Sequence, residues 1–123
     1  MRPPFLFLAA VGGFIGVAMG AFGAHGLKHL LSEHLLEVYK TAVSYQMWHV
    51  LALALIAVLP EHKLLRWAGW FLVAGIVLFS GSLYLLAIFN IGWLGMITPF
   101  GGLAFLAAWA LLAYVAWQKN QEL

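Results

Sequence analysis

Residues 5–24 carry no charge, and this run of 20 matches the length needed to cross a hydrocarbon core of about 30 Å. Only a structure that pairs its own backbone groups is tolerated there, and a helix does so within one segment. Three more such stretches follow, at about 41–59, 67–89 and 98–117. The composition agrees, with 65% hydrophobic and 8% charged residues and a mean hydropathy of +0.99. The chain therefore reads as an all-α membrane protein, a four-transmembrane-helix antiparallel bundle forming a single transmembrane domain over residues 1–123. Arg2, the apolar run and the small residues Ala18-Met19-Gly20 also suit a cleavable signal peptide. The run exceeds the usual apolar region of about 7–15 residues, however, and its glycines suit packing better than removal.

The connections refine this plan. In His25–Lys40, Leu31, Leu35, Val38 and Ala42 follow a helical period while Lys28, His29, Glu33, Glu37 and Lys40 take the other side. This predicts an amphipathic interfacial helix between spans one and two, N-capped by Ser32. No Gly or Pro interrupts residues 27–59, so the helix is expected to run on into span two. Pro60-Glu61-His62-Lys63 ends it, Trp67 and Trp70 are interfacial anchors of span three, and the uncharged turn 90–95 forces antiparallel neighbours. Pro99 opens span four, and Tyr114 and Trp117 close it. Four spans place both termini beside the 60–66 connection, with Arg2, Lys63, Arg66 and Lys119; Lys28 and Lys40 lie on the other side. The positive-inside rule then predicts cytoplasmic termini. That inner connection looks plain in sequence.

Gly12, Gly16, Gly20 and Ala24 recur every four residues and form a ridge almost without side chains, on which a second helix can approach closely. Gly101 and Gly102 offer a similar surface on span four. Polar residues inside spans form the other signal, because each is costly in lipid unless partnered. Gln46 and Ser80 fall at similar depth and His49 lies near the midplane; Tyr45, Gln46 and His49 are spaced to converge on one neighbouring surface. His25, Ser82, Tyr84 and Thr98 lie toward the outer half, so a site, if present, is expected to open outward. Interhelical hydrogen bonding is the plainer account of the cluster, against ligand, lipid-headgroup or proton handling. His25 and His29 are four apart, but Gly26 between them disfavours a regular helix and no cysteine or nearby carboxylate completes a metal or haem set. No metal or cofactor is expected, and the scattered basic residues give no nucleic-acid surface.

Four runs in order, Gly20-Ala21-Phe22-Gly23-Ala24-His25-Gly26-Leu27, Tyr45-Gln46-Met47-Trp48-His49, Leu78-Phe79-Ser80-Gly81-Ser82-Leu83-Tyr84 and Ile97-Thr98-Pro99-Phe100-Gly101-Gly102, resemble the motifs of the YgdD-like family of small bacterial inner-membrane proteins. The resemblance extends from the first helix to Trp109, and departs from the family in having Ala108 where a glycine is expected. It implies four spans in the cytoplasmic membrane, a role in envelope integrity and no known catalytic residue.

Three classes of function follow. The first is an envelope-stabilising or interaction protein that engages membrane lipids, a second copy of itself or another membrane protein. The second is a small oligomeric transporter or channel with an outward-facing polar site around Gln46, His49 and Ser80. The third, an enzyme, is disfavoured because all the acids, Glu33, Glu37, Glu61 and Glu122, lie outside the spans.

Overall fold

The structure is a computed structural model that describes residues 2–122, Ala24 by its backbone alone. It is built from α1 (Phe5–His25), α2 (Glu33–Val58), α3 (Lys63–Gly75), a π turn (Ile76–Ser80), α4 (Gly81–Phe89), a short 3-10 turn (Gly92–Met96) and α5 (Thr98–Glu122). The α3, π and α4 segments are continuous, so the molecule has four helical rods long and apolar enough to span a membrane. At 1.5 Å per residue they measure about 31 to 41 Å. One end of the bundle holds both termini and the α2–α3 connection; the other holds the 26–32 and 90–97 loops. These are called below the terminal end and the loop end.

Local chemistry sets the rod ends. Ser32 N-caps α2, its Oγ accepting from Leu35 N at 3.2 Å, and Glu33 stands in the first turn, where the helix dipole favours an acid. Residues 26–32 form turns and bends, so the amphipathic stretch is no separate interfacial helix; its Glu33–Lys40 part is the first two turns of α2. Leu59 is extended (φ −75°, ψ 157°), the conformation that Pro60 imposes on the residue before it, and α2 stops there. His62 caps α3 through Nδ1, which accepts from Leu64 N at 3.0 Å. Asn90 ends α4 in the left-handed region (φ 54°), which Asn tolerates better than most residues.

The rods share the work of packing unequally. The second rod is central: α1 lies along one side of α2, and α4 with the π turn lies along another. The fourth rod packs on α3 and the π turn. The main core fills the terminal half, where Leu53, Ile56, Leu65, Ala68, Leu72, Phe105 and Ala108 are buried. Ala108 is 2% exposed, so its methyl group is accommodated where the family pattern expects glycine. A smaller cluster of Leu27, Tyr39 and Ala87 closes the loop end. Phe7, Phe14, Trp48, Leu51, Phe100 and Leu106 project outward, as side chains facing lipid should.

Candidate functional site

The α1–α2 seam is a row of glycines receiving larger side chains of α2. A Cβ on Gly12 would sit 2.6 Å from Val50 Cγ1; one on Gly16 would strike Met47 Sδ, and one on Gly20 would touch Val43 at 3.4 Å. The row continues in Gly23, against the Tyr39 ring. The sequence expectation placed Ala24 next on this ridge; its side chain lies outside the described residues. The bare ridge also exposes α1 carbonyls to hydrogen-bond donors from α2. Gln46 Nε2 donates to Gly12 O at 2.8 Å, and Tyr39 OH donates to Met19 O. From the other side Tyr84 OH donates to Gln46 Oε1 at 2.7 Å, so one amide ties α1, α2 and α4 together.

His49 is buried on a different flank of α2, 5% exposed. Its Nδ1 lies 2.7 Å from Tyr45 O, and a carbonyl only accepts, so Nδ1 carries the proton. Nε2 is then the acceptor for Trp109 Nε1 of α5 at 3.1 Å. One tautomer of a neutral ring meets both partners. The ring stacks on Phe105 with centroids 3.6 Å apart, and Tyr45 stacks beside it at 5.9 Å.

The π turn supplies a third junction. Its Gly81 N–H bonds to Ile76 O, five residues back, and Ser80 Oγ donates to Ala42 O at 2.8 Å. On the α5 side, a Cβ at Gly101 would lie 2.8 Å from Phe79 Cα and closer still to its backbone N. Main chain therefore touches main chain there. Just beyond, Ser82 Oγ donates to Phe79 O at 3.0 Å and is 2.6 Å from Thr98 Oγ1, which then acts as donor. Among the described residues no buried side-chain nitrogen or oxygen lacks a partner.

This geometry corrects several expectations. Tyr45, Gln46 and His49 do not converge: Gln46 turns to α1 and Tyr84, whereas Tyr45 and His49 turn to Phe79, Phe105 and Trp109. The polar residues form four separate junctions rather than one site. His25 ends α1 exposed and joins none of them. Gly102 would present an added Cβ to open space, so only Gly101 of that pair is a close-packing position. Among the described residues there is no group of three His, Cys, Asp or Glu able to hold a metal ion. Trp109, Tyr39 and Met19 were missing from the sequence cluster. The signal for the first two was available, since an indole N–H or phenol O–H inside a span needs an acceptor.

Among the concavities of the described residues, three lie near the ends of the bundle. A groove of ≈ 270 Å³ toward the loop end lies over Gly20, Gly23, Tyr39 and Ser44. At the terminal end are a groove of ≈ 580 Å³ lined by Glu61, His62, Lys63, Arg66, Trp67 and Trp70, and beside it a cavity of ≈ 40 Å³. None of the three is lined by Gln46, His49 or Ser80. The connection that looks plain in sequence thus carries the largest of them, because Trp67 and Trp70 share one face of α3 with its basic first turn.

Residues 19–102 match the family model described as "Protein of unknown function (DUF423)". Among similar proteins, the UPF0382 membrane protein YwdK of Bacillus subtilis (strain 168) is 44% identical over 117 residues, 91% of this chain and 94% of its own. The UPF0382 membrane protein SAB0533 of Staphylococcus aureus (strain bovine RF122 / ET3-1) is 46% identical over 110 residues, 88% of this chain and 90% of its own. The UPF0382 inner membrane protein YgdD of Escherichia coli (strain K12) is 44% identical over 110 residues, 87% of this chain and 84% of its own. No solved structure matches. The match over most of the chain, together with four apolar helices of spanning length, shows that this chain belongs to the DUF423 family of UPF0382 membrane proteins.

Proposed function

We propose that the chain is a non-catalytic, lipid-engaged protein that stabilises the bacterial cytoplasmic membrane, with both termini in the cytoplasm. The observation that carries this reading is the internal pairing of every buried side-chain nitrogen and oxygen among the described residues. A transport pathway or catalytic centre needs polar groups free to meet a substrate, and here Gln46, His49 and Ser80 are each committed to another helix. Around that closed interior the chain offers lipid a nearly continuous apolar surface. The orientation is supported by Arg2, Lys63, Arg66 and Lys119 at the terminal end, against Lys28 and Lys40 at the loop end.

Two measurements test this. Cells lacking the chain should become more permeable to a membrane-excluded dye under detergent stress, and the wild type should restore the barrier. In proteoliposomes the pure protein should conduct no ions or small solutes above empty vesicles; flux that disappears in His49→Ala at unchanged melting temperature would overturn the reading. The orientation is tested on the same protein. The chain has no cysteine, so single substitutions at Lys119 and Lys28 report sidedness without background. Lys119→Cys should resist an impermeant maleimide added to intact cells from outside, and Lys28→Cys should react.

A further inference from the structure

We propose that the groove at the α2–α3 connection binds the headgroup of an anionic phospholipid in the leaflet facing the terminal end. The inference rests on the lipid-engaged reading above and adds to it a lipid class and a site.

The groove brings together two chemistries that a phospholipid presents side by side. One is charge. Arg66 Nη2 lies 3.0 Å from Glu61 Oε1, so that carboxylate holds the guanidinium at the mouth while leaving most of its N–H donors free. Lys63 is exposed and, among the described residues, has no carboxylate within ion-pair distance. Arg2 lines the adjoining cavity, which shares Glu61, His62 and Arg66 with the groove. Three cations thus stand around one carboxylate. A phosphodiester is complementary to the excess, and a planar guanidinium suits its paired oxygens. An anionic lipid is favoured over a zwitterionic one, whose own ammonium would meet Lys63.

The other chemistry is the aromatic wall. Trp67 and Trp70 are three residues apart on one face of α3, and are 56% and 44% exposed. Trp70 is held edge-on by Phe5 of α1 at 5.1 Å, and Trp67 lies 6.3 Å from Phe71. Tryptophans at this level sit where headgroups meet acyl chains, so the chains of the bound lipid descend along the two indoles while its phosphate meets Arg66 and Lys63. Basic pockets beside spans on the cytoplasmic side are suited to anionic headgroups for this reason.

The test uses the full chain in nanodiscs of phosphatidylcholine containing a minor fraction of phosphatidylglycerol. Native mass spectrometry of the released protein then gives the ratio of the two lipids retained. The wild type should retain phosphatidylglycerol preferentially, and Lys63→Gln and Arg66→Gln should each lower the preference about fivefold, the effect of one basic residue near an anionic surface. Glu61→Gln should raise it, because the competing carboxylate is gone. That rise separates binding from a merely structural ion pair, whose loss would lower the melting temperature and leave lipid choice unmoved. Equal retention of both lipids by the wild type would overturn the proposal, as would a preference indifferent to all three substitutions. Barrier rescue by the wild type without lipid preference would sink the groove alone. Lipid preference without barrier rescue would keep the groove and remove the stabilising role.

Discussion

Gly101→Ala and Gly102→Ala add the same methyl group to adjacent residues of one helix, and the structure assigns them opposite outcomes. At Gly101 the new carbon would lie 2.8 Å from both Phe79 Cα and Phe79 Cβ. Carbon atoms rest about 3.5–4.0 Å apart, so α5 must withdraw by ~1 Å, and a gap of that size forfeits up to about half of each pairwise attraction across the contact. No rotamer change relieves the clash, because the obstacle is main chain of the π turn, itself fixed to α2 through Ser80 and Ala42. The cost belongs at the upper end of the ~1–3 kcal/mol typical of overpacking. At Gly102 nothing lies within 4 Å, and alanine gains up to ~1 kcal/mol of helix propensity. Thermal unfolding of the purified variants in one detergent, followed by tryptophan fluorescence, separates the two. On the scaling of small domains Gly101→Ala should melt about 10 °C below the wild type, and Gly102→Ala at or slightly above it. Equal melting of both variants would refute the main-chain contact between α5 and the π turn.

Three further outcomes follow from the junctions. Gln46→Leu removes the bonds to Gly12 O and Tyr84 OH and should cost about 1–2 kcal/mol, and a double-mutant cycle with Tyr84→Phe should return a coupling of ~0.6 kcal/mol or more, measured by reversible unfolding. Nitrogen-15 NMR of His49 should show a protonated Nδ1 and an unprotonated, accepting Nε2, and Trp109→Phe should shift only the latter strongly. Asn90→Gly should leave the melting temperature within a small margin of the wild type, while Asn90→Val, β-branched at a φ of 54°, should lower it by several degrees.

Much of this architecture is legible in the residues themselves. Uncharged length marks the four rods, and Ser32, Pro60 and Pro99 mark where they start or stop, because caps and prolines act through local geometry. The glycine period of α1 likewise shows a side-chain-poor face. Rotation about each axis is what local chemistry leaves open. Gln46 and His49 are three apart and look like neighbours, yet α2 is the central rod, and Gln46 is drawn to the α1 carbonyls on one flank while His49 meets Trp109, reaching in from α5, on another. Gly101 and Gly102 are indistinguishable by type, and only the approach of Phe79 separates them. The π turn is the least visible feature: Ile76-Val77-Leu78-Phe79-Ser80 has no glycine, proline or charge to announce it.

That turn also works as a phase shifter. A π turn holds one more residue than the α turn it replaces, and each residue of an α-helix advances the azimuth by about 100°. Below it, α3 offers Leu65, Ala68, Leu72 and Gly75 to a surface shared with α5; above it, α4 offers Tyr84 and Ala87 to α2. Leu65 and Tyr84 would stand about 100° apart on an uninterrupted α-helix, and the extra residue takes up that difference, so one buried stripe continues along the rod while the neighbour it meets changes from α5 to α2. Winding the same five residues 76–80 as a regular α turn would swing everything beyond them by about 100°, carrying Ser82 away from Thr98 and Tyr84 away from Gln46, whereas removing one residue there would restore a regular helix with its faces still in place. The extra residue and the π geometry are in that sense one matched setting, each undoing the phase error that the other alone would cause.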